Sequence, residues 1–166
     1  MNNKSMALAG VFWRIKIMIE FRIGNQIEEL KFNYHAKWKA DKLFSSEDEN
    51  GNSTGNGSAV VWVGLISEKS DTALISALRA MTNHTEEEIV DAIEKNAEQV
   101  GGIENLVEQF AKELEQSDFF KFAAKQFLKQ EERSLEILGK RENKTQEDEA
   151  NIAGLKDGIQ MMKETL

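Results

Sequence analysis

From Ser70 onward the apolar residues recur every three or four positions, and each such stripe is bracketed by residues that start or stop a helix. That spacing puts one face of every segment on a core and the other in water. Thr85-Glu86-Glu87-Glu88 is a capping box, in which the Thr hydroxyl and the Glu carboxylate each satisfy a free backbone amide. Ile89, Ile93, Ala97 and Val100 follow at helical spacing, and Gly101-Gly102 stops that helix. Ile103, Leu106, Val107, Phe110 and Leu114 form the next stripe. Ser117-Asp118 marks a junction, after which Phe120, Ala123, Ala124, Phe127 and Leu128 open a helix reaching about Gly139. Upstream, Ser70 or Asp71 caps a helix with Leu74, Ile75 and Leu78 on one face. The chain has no proline to interrupt long helices.

The region before these stripes reads differently. Ile19, Phe21 and Ile23 alternate with Glu20 and Arg22, the period of a half-buried strand. Gly24-Asn25 is a tight-turn dipeptide, and Leu30 and Phe32 resume the alternation around Lys31. Together they predict a β-hairpin. Met18 could be an initiator, which would make residues 1–17 an upstream extension expected to be poorly ordered. Tyr34 to Phe44 is helix-like, with Tyr34, Trp38 and Asp41-Lys42 on successive turns. Ser45 to Ser58 has no apolar anchor and is expected to be a mobile loop. In the apolar run Ala59 to Ile66, Val60, Val61 and Val63 favour strand, but length does not exclude a buried helix.

The last segment is distinct. After the polar stretch Lys140 to Thr145, Ile152, Leu155, Ile159, Met162 and Leu166 step by three and four behind a Thr145/Asp148 cap. This short heptad-like seam either folds back on the preceding helix or pairs with another chain. The expected organisation is therefore mainly α: a hairpin-plus-helix domain over 18–139 and a helical appendage over 140–166.

Composition narrows the function classes. Without cysteine there are no thiolate metal sites, thiol nucleophiles or disulfides. No segment approaches the ~20 continuous apolar residues that span a bilayer, and no signal peptide is evident, so cytoplasm is the default address. The net charge of -8 is uneven. Residues 1–46 carry eight basic and four acidic groups, whereas residues 84–118 carry eleven acidic and two basic groups. Such an acidic surface is repelled by nucleic-acid phosphate and by anionic lipid. Lys37, Lys39 and Lys42 near Trp38 and Phe44 are better read as an amphipathic helix than as a stacking platform for nucleic acid.

Catalytic signatures are missing as well. His35 and His84 have no metal-ligand spacing to other residues, and no serine sits in a nucleophile elbow. The glycine-rich stretch Gly51 to Gly57 lacks the Gly-Lys-Ser/Thr of a phosphate loop, and is expected to lack the preceding strand and following helix of a dinucleotide site. Ser53 and Ala59 stand where an EF-hand needs glycine and a bidentate glutamate. Glu86, Glu87 and Glu88 are accounted for by the dipole of the helix they begin. A non-enzymatic protein with no cofactor and no metal is the expectation.

Several of these segments resemble the tail assembly chaperones of siphophages and Gram-positive prophages. The stretches are Met18-Ile-Glu-Phe-Arg-Ile-Gly through Leu30-Lys-Phe-Asn-Tyr34, Asp41-Lys-Leu-Phe44, Thr85 to Ile89 with Ile93-Glu94, and Glu113 to Phe120. The resemblance runs from about Met18 to about Phe122. It implies helix rather than strand for Ala59 to Ile66. It also implies a protein that binds and solubilises the tape measure protein in the host cytoplasm and is absent from the virion. A frameshifted form that recruits the tail tube protein is common in that family. The alternative expectation is a dimeric helical regulator or adaptor joined through residues 146–166. Phe119, Phe120 and Phe122, three aromatics that one helix face cannot all bury, and the seam residues Ile152, Leu155, Ile159 and Met162 are the expected contact surface for partner and self-association.

Overall fold

The computed structural model describes residues 18–166; the expected extension, residues 1–17, lies outside them. The hairpin comprises β1 (Ile19–Ile23) and β2 (Gln26–Leu30), antiparallel, with Ile19 opposite Leu30 and Ile23 opposite Gln26. Helices follow: α1 (Tyr34–Phe44), α2 (Gly57–Trp62) running into a π-helical turn (Val63–Ser67), α3 (Thr72–Met81), α4 (Glu86–Val100), α5 (Ile103–Glu115), α6 (Asp118–Gly139) and α7 (Gln146–Thr165). The chain is mainly α with a two-stranded hairpin at its start, as the patterning predicts.

The period-two residues of β1 do what alternation requires. Ile19, Phe21 and Ile23 are buried while Glu20 and Arg22 face water. Phe21 meets Phe110 of α5 edge to face, with ring centroids 5.6 Å apart. The free edge of β1 is closed by a side chain rather than a strand. Asn96 of α4 donates to the Arg22 carbonyl (2.8 Å) and accepts from the Arg22 amide (3.2 Å), as a neighbouring peptide would.

The α4 cap forms as the sequence indicates. Thr85 and Glu88 make the reciprocal box, and Gly101 closes the helix in the left-handed region at φ 86°. The stripes of α4 and α5 become the domain's own core, with Ile89, Leu106, Phe110 and Leu114 fully buried. Glu86, Glu87, Asp91, Glu94 and Glu98 point to solvent.

Ala59 to Ile66 is helical, in line with the family resemblance and against local propensity. β-branched residues disfavour helix by only tenths of a kcal/mol each. Burial of Ala59, Val61, Trp62, Leu65 and Ile66 outweighs that cost. The approach of α1 and α2 is very close: a Cβ on Gly57 would lie 2.1 Å from the Ala40 carbonyl oxygen. That contact fixes which residues α1 can turn inward. Ala36 and Ala40 are buried, and Tyr34 and Trp38 are exposed.

The loop also ends earlier than its composition suggests. Gly57 and Ser58 are buried in α2, which leaves residues 45–56 as the connection. Ser46, Thr54 and Asn56 bond one another at its base, and Asp48 accepts from the amides of Asn50 and Asn52 at its tip. Asp41 accepts from the Ser58 amide (2.8 Å) and pairs with Lys37, tying α1 to the start of α2.

The appendage folds back. α7 lies along α6 and the π-helical turn, burying Ile159 and Met162, with Ile152 and Leu155 half-buried. Burial contributes about 1.5–3 kcal/mol for each of the two buried side chains. Gly154 and Gly158 within α7 each cost about 1 kcal/mol of helix stability relative to alanine. Among the described residues no helix is long and apolar enough to cross a membrane.

Candidate partner-binding surface

Two helix starts create an exposed aromatic face. The Asn33 side chain accepts from the Ala36 amide (2.9 Å) and begins α1 with Ala36 and Ala40 inward. Four residues apart, Tyr34 and Trp38 then share its outer side. On α6, Ser117 caps the helix and donates from Oγ to the Phe32 carbonyl (2.6 Å), a buried bond that fixes the rotation of the first turn. Phe120 is thereby driven into the core against Phe32, centroids 5.3 Å apart. Phe119 and Phe122 are left outside.

The exposures are 61% for Tyr34, 51% for Trp38, 47% for Phe119 and 63% for Phe122. Tyr34 and Phe119 touch edge to face at 5.5 Å, joining the two helices' outer aromatics. Beyond Phe119 lies a cleft lined by Leu30, Lys31, Phe32, Glu113 and Asp118. Beyond Phe122 lies another, between the start of α2 and α6, lined by Lys37, Asn56, Ala59 and Gln126. Lys42 sits over the Trp38 ring at 5.5 Å, and His35 packs beside that ring. The charge near the aromatics is thus partly basic, in contrast to the α4 face.

Of the residues expected to form a contact surface, the fold brings Phe119 and Phe122 to solvent beside Tyr34. It buries Phe120, which packs on Phe32 and is no surface residue. It places Ile159 and Met162 against their own domain, and Ile152 and Leu155 at the margin of the same contact. Tyr34 and Trp38 were missed as surface residues. The signal was present in the alanines between and after them, whose small size fits a close helix approach.

Ionisable groups elsewhere serve structure. His84 Nε2 lies 2.5 Å from Glu28 of β2, and Nδ1 lies 3.4 Å from Glu88. The Glu28 hydrogen bond above all raises the His84 pKa, with the charges of Glu28 and Glu88 helping against burial. Bonds from the Thr85 amide and hydroxyl hold Glu88 below the usual carboxylate range. Burial pushes the carboxyls of Glu113 and Glu131 up. Among the described residues no group of three or more His, Asp or Glu side chains could hold a metal ion.

Hairpin and capped helices define a helical domain with an aromatic outer face. The family model for phage tail assembly chaperone protein, TAC, matches residues 20–129, from β1 to the middle of α6. The chain belongs to that family. No curated protein and no solved structure matches it.

Proposed function

We propose that the chain binds an apolar helical segment of the tape measure protein and keeps it soluble while the tail is built. Binding is non-catalytic and takes place in the host cytoplasm, and the chaperone leaves before the virion is complete. The observation that carries this reading is the face formed by Tyr34, Trp38, Phe119 and Phe122. Isolated exposed apolar residues are ordinary, but four large aromatics on two adjoining helix turns are not. Aromatic anchors of this kind dominate protein interfaces, and a helix laid in an apolar groove is a common recognition mode. The acidic outer face of α4 and α5 keeps such a complex in solution.

The family role supports tail assembly as the setting. A tail tube protein as second partner and self-association along the bound helix complete the proposed picture. The alternative, a regulator dimerising through residues 146–166, is less favoured because α7 uses Ile159 and Met162 on its own domain. The test is co-purification. Tagged wild-type chain should retain co-expressed tape measure protein, and Trp38→Ser with Phe122→Ser should lose it. Equal retention by the folded double variant would exclude the aromatic face.

A further inference from the structure

The family match covers no part of helix α7 but reaches part of the surface beneath it. The match ends at residue 129, whereas Val63 and Phe127, on which α7 rests, lie inside it. We propose that α7 is a displaceable strap: it occupies in cis a helix-binding groove between α6 and the π-helical turn, and an amphipathic helix of a partner, with a basic residue beside its apolar stripe, takes its place.

α7 carries its own start. Thr145 and Asp148 form a reciprocal capping box, and Arg141 pairs with Asp148 at 2.9 Å. The connection to α6 is polar and solvent-exposed over residues 140–145. Only Ile159 and Met162 are buried. Gly154 and Gly158 weaken the helix without serving its packing, since a Cβ at either would meet nothing within 4 Å. A cleft lined by Val63, Phe127, Glu131, Leu155 and Ile159 persists between the helices. This is a helix with its own start signal, anchored by two buried side chains and weakened by two glycines.

The rim specifies the occupant. Glu68 and Glu131 line the cleft, and Glu132 receives Lys163 of α7 at 2.6 Å. α7 itself is the template: Leu155, Ile159 and Met162 at i, i+4 and i+7, followed by Lys163. Glu131 is half-buried in the same cleft, and that burial pushes its carboxyl up, which disfavours its charge unless a cation or water reaches it. A partner helix with a lysine or arginine placed to meet Glu131 as well as Glu132 has an advantage over α7. This strap is independent of the aromatic face, which lies on α1 and the first turns of α6.

The test uses the full chain. Ser67 Oγ and Thr165 Oγ1 lie 3.1 Å apart, and the chain has no cysteine, so Ser67→Cys with Thr165→Cys gives a disulfide that clamps α7 shut. The probe is a labelled synthetic peptide of residues 145–166 bearing Gly154→Ala and Gly158→Ala, a stronger helix of the same stripe. It should bind the reduced double-cysteine chain and lose at least about tenfold in affinity on oxidation, with reduction restoring it. In wild-type chain, hydrogen exchange should run roughly a hundredfold faster in α7 than in α5. Protection of α7 equal to that of α5 overturns the proposal. So does the same affinity in both redox states, or no binding to the reduced chain.

Discussion

Gly57 shows how a single atom decides which side chains face the core. Its missing Cβ allows the Ala40 carbonyl to approach α2, and the same closeness admits only Ala36 and Ala40 from α1. Gly57→Ala should therefore cost about 1–3 kcal/mol in urea unfolding, as overpacking does. Gly154→Ala and Gly158→Ala, which meet open space, should instead each stabilise α7 by up to about 1 kcal/mol. A neutral Gly57→Ala would mean that the two helices can part without loss. His84 gives a pH-dependent prediction. Its folded pKa is raised, so folding favours the protonated ring. The contribution is complete below the unfolded value of about 6.5 and is lost as pH rises through the raised folded value. His84→Gln should lower the melting temperature more in mildly acidic than in mildly alkaline buffer. Equal losses across that range would show that the Glu28 pair adds nothing as a charge pair. Asn96 was beyond sequence reasoning, because a lone asparagine in an amphipathic stripe gives no sign that it replaces a strand. Asn96→Ala leaves the Arg22 backbone groups without their partner, and should cost about 1–3 kcal/mol by the same unfolding measurement.

At the scale of elements, the legible parts were those whose signal is local. Alternation gave the hairpin, and Thr85/Glu88 and Gly101 bounded α4, because caps and turns depend on neighbours in sequence. The segment Ala59 to Ile66 was not legible from its own residues, since a run apolar on every side has no period to read. Its helical state is set by α1, α3 and α6, which pack around it. The rotation of α6 was similarly hidden: Phe119, Phe120 and Phe122 were each plausible inward until Ser117 bonded Phe32 and selected Phe120. The loop supports a prediction that separates its base from its tip. Replacing residues 47–53 by a Gly-Ser link while keeping Ser46, Thr54 and Asn56 should cost less than about 1 kcal/mol, because closure entropy depends weakly on length. A large fall in melting temperature would assign the Asp48 turn a structural part.

Taken as a whole molecule, the domain separates its surfaces by chemistry. The α4 side is acidic, with Val90 and Val100 exposed among its carboxylates, the α1–α6 side is aromatic with lysines near, and α7 covers a third surface. Charge distribution alone made the acidic face legible. The aromatic face was only half legible, because it joins residues more than eighty positions apart in sequence and depends on which side of α1 turns inward. A partner that needs the aromatic face should not be affected by neutralising exposed glutamates on α4, and should be lost with the aromatics. The most direct measurement is the soluble fraction of the tape measure protein co-expressed with the chain. With wild type it should be mostly soluble. With Phe119→Ser and Phe122→Ser it should fall to the level seen without chaperone, while the variant itself keeps its helical signal and melting temperature. Full solubilisation by the folded variant would contradict the account.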